Sequence, residues 1–466
     1  MKSKISIFWF RRDLRLEDNV GLYYALESGF PVLPIFIFNT DILEKLESKQ
    51  DRRVDYIHQA LTAINEKLRA YNSTLKTYHG KPFEVFENLL NDYDVQSVFC
   101  NRDYEPQAIK RDREIFQFYK KRNIPFKAYK DQVIFDKNDI IKKDDTPYLV
   151  YTPYSKQWRE KLSLNDLKTY QPNFQNLLQG SNSDMHSLKD IGFEKTDIVY
   201  NTPIFEAHII DEYDKHRDYP AIEGTTQLGT ALRFGTISIR KCVTFASEHN
   251  QVWLGELIWR EFFMQILYHF PHVVNQSFKP KYEFIEWRID EKEFQKWCDG
   301  KTGYPIVDAG MRELNQTGYM HNRVRMIVAS FLCKHLLIDW KWGEAYFAAK
   351  LNDFELSSNN GNWQWVAGSG CDAAPYFRVF NPTTQTDKFD KNHTYIHQKM
   401  GARVWNQAIP KPYCGTQICK RKGATRICSG IEARVEYARD YMQKSVFALH
   451  FIVCIFTVPD CFTYFR

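Results

Sequence analysis

Residues 5–38 read ISIFWFRRDLRLEDNVGLYYALESGFPVLPIFIF, in which two short apolar runs, Ile5–Phe10 and Val32–Phe38, are separated by a charged and then mixed stretch. The pattern continues: Leu75–Tyr78, Ser97–Cys100 and Phe126–Tyr129 are further short runs, and helix-like stretches such as Asp51–Tyr71 and Gln107–Lys121 lie between them. Strand and helix signals alternating at this spacing predict a doubly wound parallel sheet over residues 1–135. Such sheets take ligands at the carboxyl ends of their strands. No glycine fingerprint follows the first run, so a dinucleotide is not the expected ligand there.

Further along, residues 136–200 are polar and read as a long connection with some helix. From Thr202 strand signals almost vanish, and amphipathic helical stretches follow one another to about Leu356 between Gly and Pro breaks. The expected architecture is α/β + all-α: a Rossmann-like domain (1–135), a linker (136–200), an all-helical domain (201–398) and a tail (399–466). A chain of 466 residues is long enough for two domains.

The net charge of +6 suggests a polyanion partner until its distribution is considered. Lys399–Arg466 carry 11 Lys/Arg against 4 Asp/Glu, a surplus of seven that leaves residues 1–398 near −1. Local basic patches, not the overall field, would have to hold such a partner. Five cysteines (Cys100, Cys242, Cys298, Cys333, Cys371) are scattered through the first 398 residues without metal-ligand spacing, as expected of reduced thiols in a cytoplasmic protein, and five more crowd into the tail. The start has no apolar leader, and the run Val446–Val458 is too short to span a bilayer, so no membrane association is expected.

Three strings carry chemistry. In Glu223-Gly-Thr225-Thr226-Gln227-Leu228-Gly229, hydroxyls beside glycine suit either an anion site or a plain helix N-cap. In Trp253-Leu-Gly-Glu256-Leu-Ile-Trp259-Arg260-Glu261, the residues Glu256, Trp259 and Arg260 share a helix face, and Asn322, Arg325 and Met326 repeat that spacing. Polar groups on apolar helices need partners if buried. A Glu256–Arg260 ion pair is the plain reading, and a polar lining around a flat, charged ligand is the functional one. The third string, Asn359-Asn360-Gly361-Asn362-Trp363-Gln364-Trp365 followed by Gly370 to Pro382, combines turn formers and aromatics as expected of a site on a loop. Gly300-Lys301-Thr302 mimics the end of a phosphate-binding P-loop, but Gln295 stands where that motif needs glycine.

These strings, with Phe8-Trp9-Phe10-Arg11-Arg12-Asp13-Leu14-Arg15-Leu16-Glu17-Asp18-Asn19, resemble the cryptochrome/photolyase flavoproteins over residues 1 to about 398. Asn322 after His321, Met326 and Trp365 look like the class I cyclobutane pyrimidine dimer photolyases. The His pair of the (6-4) enzymes is missing, and Glu256 kept together with Asn322, Met326 and Trp365 favours repair over a cryptochrome-type photoreceptor. The resemblance implies a monomeric enzyme acting on DNA that contains pyrimidine dimers, with no obligate protein partner and no metal. It implies FAD held by Tyr213, Thr225, Thr226, Gln227, Leu228, Trp253, Arg260, Arg325, Asp353, Glu355 and Asn359, the last facing flavin N5. Glu256, Trp259, Asn322, Met326 and Trp365 would line the pocket for an extruded dimer, a step of the base-flipping kind. Arg217 and Arg323 would meet DNA phosphates, and Trp287, Trp340 and Trp363 would pass electrons from the surface to the flavin.

The chain departs from the family pattern at Glu355 (usually Asp), Tyr319 (often Trp) and Gly229 (frequently Ser). Ala108 stands where folate-using members carry an acidic residue, so an antenna chromophore of deazaflavin or flavin type is expected ahead of folate. Beyond Gln398 the pattern stops. Codons for Lys399–Trp405 read one nucleotide later can encode Lys-Trp-Val-Pro-Glu-Phe-Gly, which resembles the family's usual continuation, so the tail is expected to be frameshifted by a single-base insertion.

Overall fold

Strand β1 (Lys4–Phe10) is buried from Ile5 onward, and its side chains divide by period two. Ile5, Ile7 and Trp9 enter one apolar cluster with Ile35, Ile37 and Val98, whereas Phe8 and Phe10 enter another with Phe36, Phe38 and Phe99. A strand covered on both faces is the mark of a parallel sheet under two helix layers. The computed structural model, which describes residues 2–180, 185–373, 375 and 378–400, has that sheet. β2 (Val32–Asn39), β3 (Lys76–Gly80), β4 (Asp94–Asn101) and β5 (Phe126–Tyr129) pair in parallel in the order β3-β2-β1-β4-β5. The helices Val20–Leu26, Arg52–Arg69, Pro82–Asp92 and Pro106–Lys120 connect them. The strand order reverses between β1 and β4, and there Asn101 reaches Asn19 Oδ1 (2.8 Å) and accepts the Gly21 N–H (2.9 Å), so side chains fill the crevice.

The segment 136–200 carries the helix Tyr151–Lys161 and a short turn at Phe174–Asn176. It doubles back over the sheet domain: the Leu178 N–H donates to Val32 O (2.8 Å), Thr196 donates to Asp55, and Leu177, Ile191 and Phe193 join the cluster around Phe8. Its start is pinned to the second half of the chain. Glu261, in the helix Gln251–His269, accepts the Ile134 and Phe135 N–H groups (2.7 and 3.0 Å) and the Trp158 indole N–H (2.7 Å). Burial pushes this carboxyl up to about 7, against the pull of those donors.

The second half is helical, but the helices run past Leu356, through Leu356–Ala367, Pro382–Phe389 and Thr394–Met400. The Asn359-Asn360-Gly361 string, expected on a loop, therefore lies inside a helix. Gly361 is there because Phe263 presses against it: a Cβ would stand 2.2 Å from the Phe263 ring. The loop begins only after Gly368, whose φ of +93° closes that helix. Tyr376 and Phe377 of the string, and the expected frameshifted tail beyond Met400, lie outside the described residues. Among the described residues no helix is long and apolar enough to cross a membrane.

A buried charge network joins the two halves. Asp131 accepts from Arg15 (2.7 Å) and Arg240 (2.9 Å), and Arg240 also holds Asp18 (3.1 Å). Asp18 and Asp131 are nearly inaccessible. Burial opposes the Asp131 charge, but the two guanidiniums outweigh it and hold the carboxyl below its usual value.

Removing one partner from such a buried network leaves an uncompensated charge and destabilises by about 3–5 kcal/mol. Asp131→Ala should lower the unfolding free energy from urea titration by that amount while the isosteric Asp131→Asn loses less. Glu261 supplies a pH signature. Its proton is bound more tightly in the folded chain, so stability from this group falls as pH rises from 4.5, the ordinary carboxyl value, to about 7. The loss is on the order of 3 kcal/mol, and unfolding midpoints of Glu261→Gln should not show it.

Candidate functional site

A cavity of about 330 Å³ opens among the helices Gln251–His269, Asn322–Ser330, Trp340–Lys350 and Leu356–Ala367. One turn spacing of the first helix presents Glu256, Trp259, Arg260 and Phe263 to it, and the second presents Asn322, Arg325 and Met326. Asp353 and Glu355 come from the connection before the fourth helix, which adds Asn359, Trp363 and Trp365. Arg217 closes the list of expected residues found here. A helix supplies this precision: once Gly361 sets the distance to Phe263, the register of Asn359, Trp363 and Trp365 follows.

The charges do not pair as the sequence suggested. Glu256 does not meet Arg260; it accepts from Arg217 at 2.5 Å. Arg260 turns away to donate to Gln132 O (2.7 Å) and Leu232 O (3.3 Å), with Glu355 at 3.9 Å. Arg325 binds Asp353 (2.9 Å). Glu355 is held across the domain boundary by Arg12 (3.1 Å), with Arg233 at 3.8 Å. Burial would raise the Glu355 carboxyl, but Arg12, Arg260 and Arg233 outweigh it and keep it below its ordinary value. Burial also pushes His321 down to about 4, so it is neutral at pH 7 and caps its helix through Nδ1, which accepts the Arg323 N–H (3.2 Å).

Other expected residues lie outside the cavity lining. Gly229 packs so closely on Asp353 of the lining that a Cβ would stand 2.7 Å from Oδ2, and Thr225, Thr226, Gln227 and Leu228 precede it in the chain. The six-residue helix Gly229–Phe234 has Leu228 at its N-cap and no side-chain cap, and Thr225 bonds Tyr319 (3.3 Å), so the plain N-cap reading fails. Tyr213 lies under the Arg217 guanidinium (5.2 Å), and Trp253 is buried in the cluster behind the first helix. Arg323 pairs with Asp218 (2.6 Å). Trp340 and Trp363 are buried in one core, and half-buried Trp287 packs against it.

Sequence reasoning missed three neighbours. The ring partners of Trp363 are Phe347 (5.0 Å) and Trp297 (6.2 Å). Glu344 accepts the Asn359 side-chain N–H groups through its backbone O (3.1 Å) and its carboxylate (2.9 Å). Burial, against the Asn359 bond, holds the Glu344 carboxyl above its usual value. Trp297 and Phe347 read as ordinary core positions; the one signal for the tight contact was Gly343 between Trp342 and Glu344 in an otherwise bulky helix.

Comparison with known proteins gives a consistent result. Residues 6–173 match the family described as DNA photolyase, and residues 253–446 the FAD binding domain of DNA photolyase. A deoxyribodipyrimidine photo-lyase of Vibrio cholerae is 36% identical over 418 residues, covering 84% of this chain and 89% of the relative. The crystal structure of a bacterial class III photolyase from Agrobacterium tumefaciens superposes with a TM-score of 0.79 at 31% identity, over 94% of this chain and 98% of that one. An archaeal photolyase from Sulfolobus tokodaii with two FAD molecules gives 0.75 at 33% identity, over 94% and 99%.

The cavity wall is tightly packed behind Trp363. A Cβ on Gly343 would stand 2.1 Å from the Trp363 ring and 2.6 Å from Leu332. Gly343→Ala should therefore destabilise by about 1–3 kcal/mol through overpacking. Near-ultraviolet circular dichroism of the mutant should report the displaced indole.

Proposed function

The chain belongs to the DNA photolyase family, and on that premise we propose that it splits cyclobutane pyrimidine dimers in DNA by light-driven electron transfer from reduced FAD. One observation carries the reading: Arg260, Arg325, Asp353, Glu355 and Asn359, expected at a flavin, line the same cavity as all five residues expected to receive a dimer. Asn322, Met326 and Trp365 together support the class I type of lesion pocket.

The residues fit the cofactor. Asp353 Oδ1 and Glu355 Oε2 are buried acceptors without a hydrogen-bond partner among the described residues, ready for N–H or hydroxyl donors. Arg325 and Arg260 offset anionic charge nearby, and the Thr225–Leu228 segment, which leads into Gly229 against Asp353, would offer backbone N–H groups to phosphates. FAD, when bound and reduced, supplies the light-excited electron that opens the dimer and takes it back. Asn359 is oriented for that cofactor by Glu344, which engages its side-chain N–H groups. Trp363, on the cavity wall, heads the chain with Trp340 and Trp287 that restores the reduced state.

On the substrate side, Trp259 and Trp365 replace the stacking that an extruded dimer loses, worth roughly 1–3 kcal/mol per base. Without DNA, Arg217 neutralises Glu256. A backbone phosphate competes for Arg217, and Glu256 released from it would, once protonated, donate a hydrogen bond to the lesion and steady the negative charge that appears as the ring opens. A second chromophore of flavin or deazaflavin type belongs to the same proposal, on the ground that Ala108 lacks the carboxylate of folate-using members.

The test is recovery of thymine absorbance when the reduced protein is illuminated with a dimer-containing oligonucleotide. Trp259→Ala should weaken dimer binding by about 5–150-fold, the equivalent of one lost stacking platform. Glu256→Ala should slow repair at saturating dimer by roughly one to two orders of magnitude, as expected for a charge-assisted hydrogen bond. Trp363→Phe should block photoreduction of oxidised flavin yet leave repair by chemically reduced protein intact. FAD-loaded protein that repairs nothing would instead indicate a photoreceptor.

A further inference from the structure

Trp259 has a partner that lies outside both the cavity and the helix bundle. Tyr151, from the segment between the domains, lies flat on it with ring centroids 3.6 Å apart and planes 6° apart. Trp259 lines the cavity and Tyr151 does not, so the indole stands between the tyrosine and the space where a dimer would enter. Phe262 meets both rings edge-on, at 6.0 and 5.6 Å, and Phe263 flanks the indole at 5.5 Å. Trp259 is thus backed by Tyr151, with the Phe263 ring inclined 28° to it, and still borders the cavity.

The tyrosine is itself fixed at two points. Its backbone N–H donates to Asp372 Oδ2 (3.0 Å) and its hydroxyl donates to Gly255 O (2.8 Å). Gly255 precedes Glu256, and its carbonyl is the one that the helix assigns to the Trp259 N–H. One side chain therefore backs the ring of Trp259 and is tied to the turn of helix that carries it. Gly255 leaves room for this contact: its Cβ position is 3.5 Å from the Tyr151 hydroxyl.

We propose that Tyr151 is a positioning residue for the lesion pocket, a backstop that keeps Trp259 oriented to stack on an extruded dimer. The inference rests on the repair reading above and adds to it a residue that touches neither flavin nor substrate. A platform already ordered loses little side-chain freedom when the lesion arrives. Without its backing the indole regains rotamers, and each binding event must order it again. The effect falls on capture of the lesion, not on the step after capture.

Steady-state repair and binding by the FAD-loaded, full-length protein test this. Tyr151→Leu should raise the KM for a dimer-containing oligonucleotide by about three- to tenfold, the range of an aromatic pair. Repair per absorbed photon at saturating dimer, FAD content and affinity for undamaged DNA should stay unchanged. Tyr151→Phe keeps the ring and loses only the bond to Gly255, so it should restore KM to within about twofold of wild type. An unchanged KM in Tyr151→Leu overturns the proposal, and so does an equal loss of FAD or of undamaged-DNA affinity, which would make the residue a general support. A wild-type protein that neither binds nor repairs dimers fails differently: the repair reading falls, whatever Tyr151 does.

Discussion

Everything at the cavity depends on charges buried between the two halves of the chain. Arg12 and Arg15 leave the carboxyl end of β1 and cross into the helical half, where Arg12 meets Glu355 and Arg15 meets the Gly235 carbonyl (3.0 Å). Arg240 returns the contact through Asp18 and Asp131. Desolvating so many charges is favourable only when each is paired with good geometry. The network therefore permits one relative placement of the halves, and Gly235 marks how close that placement is: with φ at +64°, its Cβ position lies 2.2 Å from Arg12 O.

This explains why a short charged string beside the first strand is so informative. Arg11-Arg12-Asp13-Leu14-Arg15 does not build the sheet domain alone. Leu14 donates its N–H to Phe234 O (3.0 Å), Arg12 steadies a carboxylate on the cavity wall, and Arg15 closes the interface. Glu355, one methylene longer than the aspartate usual in the family, reaches that arginine with one oxygen, while its second lies buried 3.9 Å from the Arg260 Nε.

The sheet was legible in the sequence because burial on both faces writes apolar runs in the inner strands β1, β2 and β4, while the half-exposed edge strands β3 and β5, broken by Lys76 and Lys127, showed through their spacing between helical stretches. The helices bearing Glu256 and Asn322 were legible through their spacing. What failed was judged on local composition. Asn359-Asn360-Gly361 looks like a turn, but tertiary packing overrides that preference: Phe263 needs the space at Gly361, and Asn360 caps the Val273 carbonyl (3.0 Å) instead of its own backbone. The Glu256–Arg260 pair was the nearest in sequence, yet Arg217, distant in sequence, won the carboxylate. Tyr151 was invisible for the same reason, since its partner lies more than a hundred residues away. Partner choice across long separations is decided by topology, which no local window contains.

The returning segment has a consequence for synthesis. The sheet is complete in strands at Tyr129, but its covering is not, because Leu177, Ile191 and Phe193 pack on it and Leu178 and Thr196 bond to Val32 and Asp55. A nascent chain emerging at about 5–20 residues per second waits roughly 3–12 seconds between the last strand and that cover. During this interval the apolar face around Phe36 and Phe38 has the helices Val20–Leu26 and Arg52–Arg69 against it but lacks Leu177, Ile191 and Phe193. The ribosome-bound protein is thus most exposed to misassociation after its sheet is made and before its first helix beyond residue 200 appears.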